Sequence, residues 1–345
     1  MQKIRIGMMT ALLLLGCACG ARSAPVDAPA SEPHVNTYAF VTKAEGNPYN
    51  DCTAEGYREV IEAAGEICLI VNPREATAEA QISLIREMVG KEVDSITVAA
   101  NDADALQESL QEAMDAGIVV TSMDSSTNPA SRKTFVNQTT TEDVAQVLVD
   151  AVYELSGGAG QWAILSATSQ AANQNAWIDA MKKVLQNEKY KKLRLVDIVY
   201  GNDESEASAA ATQRLLDQYP NLKVICSPTA VGLPAAAAAV QRAKSSVKVT
   251  GLGLPSEIAA YISDDETAVC PYAYLWNPLD LGRLSAYVSQ ALLRGDITGA
   301  AGEQFTAGSM GRYTIRQAAD GGTEVILALP LCINSTNINA LKQLF

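Results

Sequence analysis

Polar side chains able to grip a hydroxylated molecule recur at one kind of position, just beyond short apolar runs. In the first half of the chain these are Thr42-Lys43 with Asn47-Pro48-Tyr49-Asn50, then Asn101-Asp102, Asp124 and Asn137-Gln138. In the second half they are Asn173-Gln174, Pro228-Thr229-Ala230, Gly253-Leu254 and Trp276-Asn277. The set is mainly amides, with carboxylates, one ammonium and an indole. Planar amides and carboxylates pair with adjacent hydroxyls, and an aromatic face covers the C–H side of a sugar ring, so the mixture suits a neutral polyol. It is poor equipment for covalent chemistry. The one histidine, His34, falls in a Pro/Ala/Ser-rich stretch, which takes the usual general base and the usual nitrogen metal ligand out of any folded site.

Other motifs are weaker. Cys52, Cys68, Cys226, Cys270 and Cys332 are widely spaced with no C-x-x-C, so zinc is not expected. Cys68, Cys226 and Cys332 sit in apolar runs and read as buried thiols; five is odd, and sequence does not choose a pairing among them. Gly251-x-Gly253 follows an apolar run, but the third glycine of a dinucleotide loop is missing and Pro255 interrupts the turn. Asp203-Glu204 and Asp264-Asp265-Glu266 read as solvated loops, too short for a calcium loop. No catalytic residue, cofactor or metal is expected.

The elements that must position the polar set follow from hydrophobic periodicity. Of 345 residues 48% are hydrophobic, enough to fill two domains. From Asn36 onward short strands (Thr37–Val41, Ile67–Val71, Ser95–Ala99, Ile118–Ser122) alternate with amphipathic helices (50–64, the stretch holding Ile82, Ile85, Met88 and Val89, and 103–116). The rhythm restarts with a helix over 142–155 and strands at 161–165, 193–200, 223–227 and 247–251, and ends in a strand–helix pair over 273–293. Repeated βαβ units dictate parallel sheets with helices on both faces, so an α/β fold of two doubly wound, Rossmann-like lobes is predicted. In such sheets ligands bind beyond the carboxyl ends of the strands, where the polar set lies. The formal charge of −13 repels phosphate backbones, and no nucleic-acid partner is expected.

The N-terminus reads as an export signal. Lys3 and Arg5 precede an apolar run through Leu12–Leu15 that is too short to span a bilayer as a mature helix. Leu14-Leu15-Gly16-Cys17 resembles the bacterial lipobox, in which the cysteine receives a diacylglycerol; the alternative is an ordinary secretory signal with an incidental Cys17. The expectation is a signal peptide over 1–16, lipidation at Cys17, and a Pro/Ala/Ser-rich tether over 17–35. Such an anchor would hold the chain at the outer face of the cell membrane.

Several stretches together carry a family likeness: Asn47-Pro48, Val136-Asn137-Gln138, Asn173-Gln174-Asn175-Ala176-Trp177, Val199-Tyr200-Gly201, Gly251-Leu252-Gly253-Leu254-Pro255-Ser256-Glu257, Leu275-Trp276-Asn277-Pro278 and Asp280-Leu281-Gly282. From about Tyr38 to Phe345 the chain resembles the rhamnose-binding proteins of bacterial ABC importers. These are sugar-binding type I periplasmic binding proteins, with relatives that bind autoinducer-2 or ribose. The resemblance implies two lobes joined by three crossings, expected near Asn137–Thr139, near Trp276, and between Phe305 and Tyr313. Lobe one would then comprise 36–138 and 277–308, and lobe two 139–276 and 309–345. In the autoinducer-2 relatives the ligand is held by a Lys, an Asp, an Asp-Gln pair and a Pro-x-Ala. Here Lys43, Asp124, Gln174, Pro228 and Ala230 match, and Asn173 stands where that group has Asp. Asn donates as well as accepts, which changes the hydroxyl pattern it satisfies.

Each residue also has a bland reading. Lys43 could be a surface lysine, Asp124 an Asx-turn into Ser125-Ser126, and Asn173 or Gln174 a helix cap. Trp276 could be a stacking platform or a hinge core residue, while Trp162 and Trp177 read as core. Asn47, Tyr49 and Asn137 are further pocket candidates. The implied function is capture of L-rhamnose or a related sugar by a monomeric lipoprotein that delivers it to an ABC permease, with no enzymatic step. The alternative is a receptor for autoinducer-2 or another sugar in signalling or chemotaxis. A 6-methyl group would need an apolar recess, expected beside Trp276 or Leu254.

Overall fold

The computed structural model describes residues 34–345; the expected signal peptide, Cys17 and nearly all of the tether lie outside them. The chain opens with β1 (Thr37–Val41), α1 (Pro48–Ala63), β2 (Ile67–Val71), α2 (Ala78–Gly90), β3 (Ser95–Val98), α3 (Gln107–Asp115), β4 (Val119–Met123) and β5 (Phe135–Asn137). A second run follows: α4 (Thr141–Leu155), β6 (Gly160–Ser166), α5 (Ala172–Val184), β7 (Leu193–Tyr200), α6 (Ser205–Gln218), β8 (Leu222–Ser227), α7 (Gly232–Arg242), β9 (Lys248–Gly251), α8 (Pro255–Ile258) and β10 (Tyr272–Leu275). The last run is α9 (Pro278–Leu293), β11 (Gln304–Thr306), β12 (Arg312–Thr314), β13 (Arg316–Gln317), β14 (Thr323–Ile326), β15 (Leu331–Asn334) and α10 (Ile338–Leu341). Helix α3 starts later than its periodicity suggests, because Asp102 accepts from the amides of Asp104 and Ala105 and holds that stretch as a turn.

Lobe one is a sheet in the order β13-β14-β5-β4-β3-β1-β2, parallel except for β13. Residues of β1 alternate between its faces: Tyr38 and Phe40 pack in the core that holds α1 and α9, Ala39 and Val41 in the core with Ile85, Met88 and Leu110. Lobe two is the parallel sheet β7-β6-β8-β9, extended by the antiparallel pair β10–β15 through a bridge between Leu252 and Tyr274. The two-lobed α/β fold inferred from periodicity is the one observed.

Three segments join the lobes: 138–140 between β5 and α4, 276–277 between β10 and α9, and 327–330 between β14 and β15. The third corrects the expectation of a crossing between Phe305 and Tyr313. Those two residues face one another in the β11–β12 hairpin, and β14 pairs in parallel with β5, so 309–326 stays with lobe one and only the chain from β15 onward returns to lobe two.

Helices α1 and α9 touch backbone to backbone. A Cβ added at Gly282 would lie 2.0 Å from the Thr53 carbonyl oxygen, and one at Gly56 would lie 2.0 Å from that of Leu279. Since α9 leaves the second crossing directly, this contact anchors the hinge to lobe one. Gly282→Ala should destabilise the protein by about 2 kcal/mol net, an overpacking cost at the upper end of the usual ~1–3 kcal/mol set against a gain in helix propensity of about 1 kcal/mol. Urea denaturation measures this, and an unchanged or higher midpoint would contradict the contact.

Candidate functional site

The carboxyl ends of both sheets converge on a cleft that encloses about 430 Å³ of space, its open mouth included. Lobe one supplies Lys43 from the loop after β1, Asn47, Tyr49 and Asn50 from the start of α1, and Asp124 from the end of β4. Lobe two supplies Asn173, Gln174 and Trp177 from the first turns of α5, Asp203 from the loop after β7, Pro228, Thr229 and Ala230 from the loop after β8, and Leu252 after β9. Leu275 and Trp276 close it at the second crossing.

Asp124 is the hub. It is 6% exposed and sits at φ 60°, a left-handed conformation that costs a non-glycine residue about 1–2 kcal/mol. Strain of that kind persists where the surroundings over-determine it. One carboxylate oxygen, Oδ1, accepts from the Tyr49 hydroxyl at 2.9 Å, and that hydroxyl accepts from the Trp276 indole N–H at 2.7 Å. The other, Oδ2, lies 3.2 Å from the Lys43 ammonium and accepts from the Asn173 amide at 3.4 Å. Lys43 also donates to Asn173 Oδ1 at 3.3 Å. Tyr49 and Trp276 meet edge to face, with ring centroids 6.2 Å apart, and Trp177 packs against Trp276 at 6.0 Å.

A second layer fixes these groups. The fully buried Gln81 donates to the carbonyls of Thr42 and Ala99 and accepts from the Asn101 amide, while the Asn101 side chain donates to the Lys43 carbonyl at 2.9 Å. Asn101 is thus a support for the Lys43 loop. On the other lobe, Gln174 Oε1 accepts from the Ser166 hydroxyl at 2.6 Å and from the Ala167 amide at 2.8 Å, which leaves its NH₂ as the end able to donate. Gly251, at φ 149°, brings the chain so near Ser227 that a Cβ would lie 1.9 Å from its carbonyl oxygen, and this close approach carries Leu252 to the cleft.

Nine of the ten residues predicted for the site line one cavity; Asn137 does not. It ends β5, just before the first crossing, donates to the buried Glu324 of β14 at 2.8 Å and accepts from the Thr139 amide. Leu254 also falls elsewhere, in a neighbouring groove with Pro48 and Val231; the apolar lining comes from Leu252 and Leu275 beside the two indoles. Asp203, read as a solvated loop, and Trp177, read as core, are both in the lining. The rule that found the other residues marks Asp203 too, since it closely follows β7. The five cysteines beyond the tether are free, and burial pushes the Cys226 and Cys270 thiols up to about 12. Among the described residues no group of three or more His, Cys, Asp or Glu is placed to hold a metal ion.

Two lobes joined by three crossings thus hold between them a cleft lined from both sides. Residues 38–297 match the model of the periplasmic binding protein domain, and the chain belongs to that family. It is 51% identical to an ABC transporter solute-binding protein from Clostridium phytofermentas solved with bound L-rhamnose, over 90% of this chain and 99% of that one, with a TM-score of 0.89. A curated relative, the D-ribose/D-allose-binding protein of Pseudomonas aeruginosa, is 26% identical over 71% of this chain and 78% of its own. LsrB from Clostridium saccharobutylicum in complex with AI-2 shares the fold at a TM-score of 0.82 and 22% identity, covering 88% of this chain and 99% of that one.

Burial, and then the neighbouring Asp124 charge, raise the Tyr49 pKa well above its ordinary value, so the phenol stays a donor. An unfolded tyrosine ionises near pH 10. A pKa raised by folding contributes stability that is complete below the unfolded value and is lost as pH rises beyond it. Tyr49→Phe should therefore flatten the fall in unfolding free energy above about pH 10, and at pH 7 cost about 1–3 kcal/mol by stranding its two partners. Urea unfolding between pH 7 and 11 reads both effects; an unchanged slope and midpoint would contradict the hub.

Proposed function

We propose that this protein is the extracytoplasmic substrate-binding component of an ABC importer, capturing L-rhamnose or a closely related deoxy-sugar and delivering it unaltered to a permease. The observation that carries this reading is the lining of the cleft. Donors and acceptors for hydroxyls come from both lobes, and indole and leucine surfaces lie beside them. Lys43, Asp124, Asn173 and Gln174 would hold hydroxyls, with Pro228 and Ala230 shaping the lobe-two wall. Trp276 and Trp177 would cover the C–H face, and Leu252 with Leu275 would receive the 6-methyl group. The 51%-identical relative with L-rhamnose bound supports the choice of sugar. Asn173, which can donate to Asp124 where an aspartate would repel it, argues against an autoinducer-2 site.

The mechanism is closure. A ligand shifts the two-lobe equilibrium only by its differential contacts, and a sugar touching both half-sites favours the closed form that a permease would recognise. Lipid attachment at Cys17 would keep the receptor, a monomer in this reading, at the cell membrane; the lipobox-like sequence supports it. Calorimetry on the purified protein should show L-rhamnose binding, and Asp124→Ala should weaken it by about 100-fold or more, as expected when charge-assisted bonds are lost. Heat with ribose or autoinducer-2 and none with rhamnose would reject the sugar assignment. In cells, Cys17→Ala should move the protein from the membrane to the soluble fraction; retention with continued lipid labelling would reject the anchor.

A further inference from the structure

We infer that Asp203 is a positioning residue of the cleft, tying the lobes together through Asn47 and setting ligand affinity without itself bonding the ligand. Asn47 caps α1: its Oδ1 accepts from the amides of Tyr49 at 3.0 Å and Asn50 at 3.4 Å. Its Nδ2 crosses to lobe two and donates to Asp203 Oδ2 at 2.8 Å. Asp203 Oδ1 accepts from the Thr229 hydroxyl at 2.6 Å. Both ends of the Asn47 amide and both oxygens of Asp203 are therefore engaged by protein, although the two residues line the cavity. The bond is shorter than the side-chain bonds that Asn173 of α5 makes with lobe one, which are 3.3 Å to Lys43 and 3.4 Å to Asp124.

Local backbone geometry supports the assignment. Asn202 and Asp203 both stand at positive φ, 54° and 56°, the left-handed region that asparagine and aspartate tolerate in turns. That turn carries the Asp203 carboxylate to where Asn47 and Thr229 meet it. Helix α1 fixes the opposite end, since the capping geometry that satisfies its first turn also directs the Asn47 NH₂ outward. Opening the lobes must break this bond, so it raises the population of the closed form before any ligand arrives. Apparent affinity scales with that population.

The test exchanges donor and acceptor in the full-length protein. Asn47→Asp keeps the cap, since aspartate caps a helix about as well as asparagine, but sets two carboxylates face to face. It should weaken L-rhamnose binding about tenfold or more, like-charge juxtaposition being costly, and shift small-angle scattering of the ligand-free protein toward a more open form. Asp203→Ala, on a loop and away from the cap, should act in the same direction. The double variant Asn47→Asp with Asp203→Asn restores one donor and one acceptor and keeps the Thr229 contact. It should return affinity to within about threefold of wild type and restore the scattering profile. Wild-type scattering and affinity in both single variants would overturn the proposal. So would a double variant as weak as Asn47→Asp, which would place Asp203 on the ligand. The affinity measurements rest on the proposed sugar; the scattering needs none, so a wrong sugar and a wrong tie give different results.

Discussion

A carboxylate placed where water hardly reaches must be paired, and the rest of this site is arranged around that requirement. Asp124 sits on a strained backbone at the carboxyl edge of the lobe-one sheet, and an unpaired charge there would be strongly destabilising. Its partners come from four separate places: the loop after β1, the first turn of α1, the second crossing through Tyr49, and the start of α5 on the other lobe. Satisfying one side chain thus draws both lobes and the hinge together. The same groups, reached by a polyhydroxylated molecule, would exchange part of this pairing for bonds to hydroxyls with little reorganisation.

Both lobes fix their site residues from behind. Lobe one does so through the Gln81–Asn101 layer behind Lys43 and the glycine-mediated contact of α1 with α9. Lobe two does so through the Ser166 and Ala167 bonds to Gln174 and the close approach of Gly251 to Ser227. The second crossing carries Trp276, so one indole takes part in the hinge, the aromatic wall and the Asp124 network at once. Movement of the lobes cannot leave the wall of the cleft unchanged.

Much of this was legible in the sequence, for a physical reason. Strand and helix periods differ, so alternation revealed both lobes, and the carboxyl-end rule placed Lys43, Asp124, Gln174 and Trp276 without any structure. What escaped depended on distant partners. Asn137 stands at the carboxyl end of a strand, but Glu324, nearly 190 residues away, occupies its amide. The third crossing was misplaced because β13 and β14 are short and polar in part, and only their pairing beside β5 assigns them to lobe one. Asp203 follows β7 as the rule requires, but Asp203-Glu204 taken alone reads as a solvated charge, because its partners Asn47 and Thr229 come from elsewhere in the chain.

The most direct test is a crystal structure of the protein with L-rhamnose. The account predicts one sugar between the lobes, with hydroxyls at hydrogen-bond distance from Asp124 on one side and from Asn173 or Gln174 on the other, and its ring against Trp276 or Trp177. A sugar touching a single lobe, or seated outside the space around Asp124, would contradict it.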